Sequence, residues 1–485
     1  MTARLARALA DLAEQMPAAP VQDDLWRRGR RQRRRHHLAV AACVVVATLA
    51  VLLAVPALLA RPAPMEFGDG TGAVPKTVYL PWMWQATVQQ DPRGPAALLL
   101  SGDSIGLRGT DLIDHEGKIA VVGRDGSYRT LLYGGSERVA GEDTVLSPDG
   151  RYVAQDYLAG ESYGRVLVTD LTTGKTKRYD GPDGADCCAV PVAWRPDGGA
   201  LLLAQLRAGS PTEADPVSGN YLRPGRLVQL DLATGAALSL VPFDDFAKVR
   251  TASLAAYSPD GRRIAVATGE RLRLLDAGTG ATLWTAELGE RRYLSGPGAF
   301  TADGQRIATV SLDGCLDQCD SARLAARQWR VDYLDANSGA EATGPAMGPV
   351  TAMAVRALGW RDGTDLVAVT YRPENGVRKD ASTGWRDTGF WEVGDASLVA
   401  LRPDGTVETL LDPPDAVLSI DVARDLLEAG RFGGEAQRPG VFPARWVIVV
   451  PVAFFGAPVV LLAGGVVLGW WLWRRRRRHS LTVRA

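Results

Sequence analysis

A turn that returns along the chain constrains this sequence more than any other feature. In residues 256–288, AYSPDGRRIAVATGERLRLLDAGTGATLWTAEL, a short apolar run meets the turn Ser258-Pro259-Asp260-Gly261 and continues as Arg263-Ile264-Ala265-Val266-Ala267. Proline presets φ for such a turn, aspartate bonds its own backbone and glycine takes the left-handed position, so two antiparallel strands are predicted to meet there. Residues 271–276 form a third predicted strand. A second turn, Asp276-Ala277-Gly278-Thr279-Gly280, leads to a fourth over 283–288. A four-stranded meander of about 35 residues cannot bury both faces alone and needs copies of itself.

The copies are present. The first turn recurs as Ser147-Pro148-Asp149-Gly150, Arg195-Pro196-Asp197-Gly198 and Thr301-Ala302-Asp303-Gly304, and in shortened form as Arg361-Asp362-Gly363. The second recurs as Asp170-Leu171-Thr172-Thr173-Gly174, Asp231-Leu232-Ala233-Thr234-Gly235 and Asp335-Ala336-Asn337-Ser338-Gly339. Arg124-Asp125-Gly126 and Arg402-Pro403-Asp404-Gly405 read as further turns between third and fourth strands. A self-similar unit of roughly 40 to 50 residues with four strands per copy predicts an all-β fold, a β-propeller. The run 418–427 has the rhythm of a first hairpin, and 77–80 offers a strand from the start of the chain, so the last blade reads as split. Six full repeats plus this closure predict seven blades, with six as the alternative.

The S-P-D-G-x-x-I-A wording resembles the TolB-like branch of WD-repeat-type propellers, of the membrane-anchored bacterial type, over roughly residues 76–430. The Gly-His and Trp-Asp dipeptides of true WD repeats are absent, so WD-type partners are not implied. The resemblance implies the fold. Propellers host many unrelated activities, so function has to be read from particular residues.

Net charge is zero over the whole chain but not along it. Residues 1–37 hold nine arginines against Asp11, Glu14, Asp23 and Asp24, giving +5, and residues 474–485 hold six arginines and no acid, giving +6. The middle therefore carries −11, and an acidic centre argues against nucleic-acid binding by the propeller. Arginine supplies nearly all the positive charge, which with abundant alanine and glycine suggests a high-GC bacterial genome.

The ends read as membrane anchors. Leu5, Leu9, Leu12 and Met16 lie at helical spacing in a short amphipathic segment that ends at Pro17. An arginine run over 27–35 precedes residues 38–60, which carry no charge and are long enough to span a bilayer. A cleavable signal peptide, with Val55-Pro56-Ala57 as its cleavage site, is the competing reading. The long basic segment and extended apolar run favour an anchor. A second uncharged span covers 446–473, with tryptophans at both ends and Arg474 to Arg478 following. Both basic clusters are expected on the cytoplasmic side. The expected organisation is a cytoplasmic basic tail (1–37), a transmembrane helix (38–60), a linker (61–75), an extracytoplasmic β-propeller (76–430), a linker (431–445), a transmembrane helix (446–473) and a cytoplasmic basic tail (474–485).

Few residues promise chemistry. Gly102-Asp103-Ser104-Ile105-Gly106 matches a nucleophile elbow, but that motif needs a strand, a turn and a helix with Asp and His later. His115 is the one histidine between the spans, which excludes a His-rich zinc site and a conventional triad elsewhere. Ser104 is read as a hairpin-turn residue. No catalytic, cofactor-binding or metal-ligating residue is assigned, and no cofactor is expected. Asp313, Asp317 and Asp320 fit no EF-hand spacing. Outside the membrane, Cys187, Cys188, Cys315 and Cys319 are disulfide candidates with three possible pairings.

The repeats differ most in length between their second and third strands. The tightest copy has Thr268-Gly269-Glu270, while insertions fall near 155–165, 204–226, 314–330 and 371–389. In a propeller these loops share one face with the connections between blades, and insertions gathered on one face build binding surfaces. The last insertion holds Tyr371, Arg372, Arg378, Lys379, Trp385 and Arg386, which we take as binding-loop candidates. The sequence thus points to a membrane-anchored binding or sensing module for a protein or cell-envelope ligand. An extracytoplasmic hydrolase or lyase working in the propeller channel and a structural scaffold of a membrane complex are the alternatives.

Overall fold

The computed structural model describes residues 72–439 apart from 82–84, 103–117, 132–138, 158–164, 181–187, 209–221, 243–253, 317–318, 375–392, 415–416 and 436, together with 464–465 and 469–470. The chain divides into two compact units, Glu66–Trp446 and Met1–Met65 with Val447–Ala485. In the second, Gly464, Gly465, Gly469 and Trp470 are helical and exposed. The remainder of the two apolar segments, 38–60 and 446–473, lies outside the described residues, among which no helix is long and apolar enough to cross a membrane.

The first unit is a six-bladed β-propeller. After a short strand β1 (Val74–Pro75), blade 1 takes three strands from β2 (Ala96–Gly102), β3 (Lys118–Gly123) and β4 (Tyr128–Thr130). Blade 2 is β5 (Thr144–Leu146), β6 (Tyr152–Tyr157), β7 (Arg165–Asp170) and β8 (Thr176–Asp180). Blade 3 is β9 (Cys188–Trp194), β10 (Ala200–Ala208), β11 (Leu222–Asp231) and β12 (Ala237–Pro242). Blade 4 is β13 (Ala255–Tyr257), β14 (Arg263–Thr268), β15 (Arg271–Asp276) and β16 (Thr282–Glu287). Blade 5 is β17 (Arg292–Leu294), β18 (Arg306–Asp313), β19 (Gln328–Asp335) and β20 (Glu341–Ala342), with helix α1 (Ser321–Ala325) between its second and third strands and β21 (Val350–Thr351) pairing with β19. Blade 6 is β22 (Ala354–Arg361), β23 (Asp365–Pro373), β24 (Val393–Leu401) and β25 (Val407–Leu411). There follow β26 (Ser419–Val422), helix α2 (Arg424–Glu428) and β27 (Phe432–Gly434).

The blade number corrects the expectation of seven. The run 418–427 opens no further blade. Its strand β26 pairs antiparallel with β2, in register Leu98↔Val422 to Ser101↔Ser419, and becomes the missing inner strand of blade 1. The first three strands and the last one are a single blade, so counting the C-terminal hairpin as a further repeat counts one blade twice. Residues 77–80 form no strand. The chain's start instead adds β1, which pairs in parallel with β27.

The turns behave as their chemistry dictates. In Ser258-Pro259-Asp260-Gly261, Asp260 accepts from the Ser258 hydroxyl at 2.5 Å and the Arg262 amide at 3.1 Å, while Gly261 takes φ 69°. In the second turn, Asp276 accepts from the amides of Gly278 and Thr279 and from the Thr279 hydroxyl. Those bonds hold the Asp276 carboxyl below the usual carboxylate range, the Thr279 hydroxyl most of all, as Ser338 does for Asp335.

The core lies between blades, and this explains the uninterrupted apolar runs of the second strands. In β10, Leu201 and Leu203 pack with Val145, Ala154 and Val166 of blade 2, while Leu202 packs with Tyr257 and Ile264 of blade 4. Both faces of the inner strands are buried, at about 1.5–3 kcal/mol for each fully covered large side chain, while outer strands such as β16 stay largely exposed. The residue before the first turn is large and buried in every repeat that has one: Leu146, Trp194, Tyr257, Phe300 and Trp360. Two of these anchor neighbouring blades through the indole, Trp194 Nε1 to the Val145 carbonyl and Trp360 Nε1 to the Gly298 carbonyl, each at 3.1 Å.

Candidate functional site

Antiparallel order gives the propeller two unlike faces. Turns joining first to second and third to fourth strands lie on one face; the second-to-third connections and the links between blades leave from the other. We call these the tight-turn face and the loop face. On the loop face, the second and third strands of blade 4 join through Gly269 and Glu270 alone, Thr268 pairing with Arg271. The strand ends at Gly102 and Lys118, Asp313 and Gln328, and Pro373 and Val393 carry the longest connections.

Both ends of the propeller stretch lie at the tight-turn face. Val74 donates to the Arg431 carbonyl and Lys76 to the Gly434 carbonyl, each at 2.9 Å. Gln437 then bonds the carbonyls of Asp125 and Gly126 in the third-to-fourth turn of blade 1. Helix α2 lies over the same face, with Asp425 N on the Pro148 carbonyl and the Glu428 carbonyl accepting from Asp362 N. Leu426 and Leu427 are buried beneath it.

Among the described residues, a cavity of about 60 Å³ lies on the propeller axis, walled by Val145, Trp194, Pro297 and Leu358, with Asp421 and Arg424 as its charged groups. That volume holds a few waters. On one side the inner segments of blades 5 and 6 bond each other directly, Ala357 N to the Ser295 carbonyl at 2.8 Å and Gly298 N to the Ala357 carbonyl at 3.1 Å. A Cβ at Gly298 would sit 2.2 Å from the Gly359 nitrogen, so only glycine allows this approach.

Beside the axis lies a buried polar latch that sequence reasoning missed. Arg356, 2 % exposed on β22, donates to the Ile420 carbonyl at 2.6 Å, the Gly141 carbonyl at 3.0 Å, the Ala140 carbonyl at 3.2 Å and the Tyr371 hydroxyl at 3.0 Å. The Ser419 hydroxyl reaches the Ala140 carbonyl at 2.8 Å, and Asp421 accepts from the amides of Leu146 and Val422. Burial works against the Arg356 charge, but Tyr371, Asp421 and Glu142 outweigh it and hold the pKa above the ordinary arginine value. Burial pushes the Asp421 carboxyl up, with Arg356 pulling the other way. A lone arginine inside the apolar run Ala354-Val355-Arg356-Ala357-Leu358 was the available signal.

The sequence candidates divide. Tyr371 is not a loop residue: it lies within β23, fully buried, its hydroxyl 3.0 Å from that of Ser419. Arg372 is exposed and pairs with Asp395 at 2.6 Å. Arg378, Lys379, Trp385 and Arg386 lie outside the described residues, as do Ser104, His115 and Cys187. Cys315 and Cys319 form a disulfide. Cys188 opens β9, paired with Leu206. Asp320 caps α1 by accepting from Arg323 N. Arg327, buried behind the disulfide, donates to the carbonyls of Cys315 and Met353 and so fastens this insertion to the start of blade 6. Among the described residues, no three His, Cys, Asp or Glu side chains are grouped to hold a metal ion.

No family model matches this chain, and no curated protein matches it. Solved structures similar to it include TolB proteins and other β-propellers. TolB from Acinetobacter baumannii is 17% identical at a TM-score of 0.36, over 66% of this chain and 63% of that one, so this chain spans less than two thirds of it. An oligogalacturonate lyase in complex with manganese is 16% identical at 0.37, over 69% and 77%. The putative TolB from Agrobacterium tumefaciens is 17% identical at 0.30, over 47% and 73%. Likenesses this distant carry no argument about activity. The fold rests on the sheet order itself.

Proposed function

We propose that this propeller is an extracytoplasmic binding module, tethered at both ends to the membrane of a bacterial cell, whose loop face engages a protein or cell-envelope ligand. The observation that carries this reading is the separation of faces. The clasp of β1 and β27 brings the two ends of the propeller stretch together at the tight-turn face, while the longer connections leave from the opposite one. The loop face is thereby left clear of the chain's own exits, and variable loops on a rigid scaffold are where binding residues concentrate. The uncharged segments 38–60 and 446–473, each with arginines beside it, support the tethering.

Catalysis in the channel is the weaker reading. The axial cavity of about 60 Å³ is too small for a sugar ring or peptide unit, and the Asp421 carboxylate within it is committed to the Leu146 and Val422 amides. Photo-crosslinking on intact cells tests the proposal. A crosslinking residue replacing the exposed Glu374 should capture a partner, and one replacing Lys175 on the tight-turn face should not. Capture from Lys175 alone would end this reading.

A further inference from the structure

The connection between β18 and β19 carries a disulfide whose two sulfurs have unlike surroundings. Cys319 is 1 % exposed and belongs to the apolar core with Leu324 and Met353, whereas Cys315 sits half-buried at the edge of that core. Behind the bridge lies Arg327, itself 1 % exposed. Its guanidinium donates to the Cys315 carbonyl at 2.8 Å, the Met353 carbonyl at 3.1 Å and the Leu316 carbonyl at 3.4 Å, and it reaches Cys319 Sγ at 4.0 Å. Met353 lies outside the insertion, and the Arg327 carbonyl accepts from the Ala352 amide at 3.1 Å, so the charge is held there independently of the bridge. Asp313 and Asp320, the described acids of this connection, are exposed, and water weakens their field. A bridge that served only as a cross-link would need no charge at either sulfur, and a loop this short gains least from cross-linking.

We propose that Cys315–Cys319 is a reversible thiol–disulfide exchange site for a partner dithiol, attacked at Cys315 and released at Cys319 as a thiolate held by Arg327. In the first step a thiolate of the partner bonds Cys315 Sγ, the Cys315–Cys319 bond breaks, and its electron pair goes to Cys319 Sγ. The partner's second thiol then loses its proton and attacks the partner's own sulfur in the mixed disulfide. Cys315 leaves and takes up a proton. The partner dithiol is oxidised to a disulfide by two electrons, and the Cys315–Cys319 pair is reduced by two. Exchange is faster when the leaving thiolate is better stabilised, and a guanidinium in contact with the sulfur supplies that stabilisation. The chemistry does not depend on the loop face binding any other ligand.

The test equilibrates the full chain in nanodiscs with reduced and oxidised glutathione, two molecules of which stand in for the dithiol. Acid quenching, alkylation and peptide mapping keep this pair apart from Cys43, Cys187 and Cys188. Glutathione trapped early should sit on Cys315 at least about tenfold more often than on Cys319. Arg327→Met should shift the exchange constant about tenfold toward the disulfide, ~30 mV, and Arg327→Lys should recover part of that shift, which a purely packing role would not give. The position of the adduct is read on the parent, so it decides the matter even where the methionine variant fails to fold. Adducts shared equally between the two sulfurs, or a pair that glutathione cannot reduce without denaturant, would overturn the inference. So would a natively folded methionine variant within about twofold of the parent, or a lysine variant no closer to the parent than the methionine one.

Discussion

The Arg356 guanidinium donates to the Ile420 carbonyl at 2.6 Å, across the seam where the last propeller strand completes the first blade. Four residue pairs hold β26 to β2, so the ring would close on a short ladder if backbone bonds acted alone. Arg356 joins blade 6 to that strand and to Ala140 and Gly141 at the entry to blade 2. Three blades meet at one side chain.

Replacing Arg356 with methionine should therefore lower stability by about 3 kcal/mol or more, since buried carbonyls lose a charged donor and no water replaces it. Arg356→Lys should recover part of this only, because an ammonium cannot span the same acceptors. Denaturant midpoints measure both. A methionine variant within about 1 kcal/mol of the parent would show that the latch is dispensable.

Acid should unfold the propeller through its turns. Hydrogen bonds hold Asp276, Asp335 and Asp404 below the usual carboxylate range, the Thr279, Ser338 and Thr406 hydroxyls being the largest causes. Their contribution is complete above the ordinary carboxylate pKa and is lost as pH falls through the lowered values. Asp421 has the opposite sign: its pKa is raised by burial, so its contribution is complete below the ordinary value and is lost as pH rises through the raised one. Asp276→Asn should lower the thermal midpoint at about pH 7 and lower it progressively less as pH falls below the ordinary carboxylate pKa. An effect that does not change with pH would remove the charge argument.

Reduction should loosen one loop and leave the ring intact. The Cys315–Cys319 bridge closes a five-residue loop, worth about 2 kcal/mol on chain-entropy grounds. Alkylation before reduction should label neither cysteine, and hydrogen exchange after reduction should quicken over 314–327 while the strands of blades 2 and 3 stay protected. Labelling of Cys319 in the unreduced protein would contradict the assignment.

Two glycines separate close approach from backbone conformation. Gly298→Ala would press its Cβ onto the blade 6 backbone at 2.2 Å and should cost about 2–3 kcal/mol. Gly198 has φ 71° and nothing within 4 Å of a built Cβ, so Gly198→Ala should cost about 1 kcal/mol from backbone strain alone. Equal costs, read from the same denaturant midpoints, would mean that the inner segments of blades 5 and 6 are free to part.

The sequence alone determined the unit of construction. Each Asp-Gly turn is a local device: the aspartate side chain and the glycine φ act within five residues of one another. Hence 258–261 and 276–280 could be read, with their copies, as the ends of four-stranded meanders, and 124–126 and 402–405 as third-to-fourth turns, all as found. The local Cys315–Cys319 pairing was among the readings for the same reason. What the tertiary structure decided depends on partners far away in the chain. Blade number turned on β26 choosing β2, a pairing across more than three hundred residues that no local pattern marks. Tyr371 was taken for a loop residue because its hydroxyl's partners, Arg356 and Ser419, come from other strands of the closed ring.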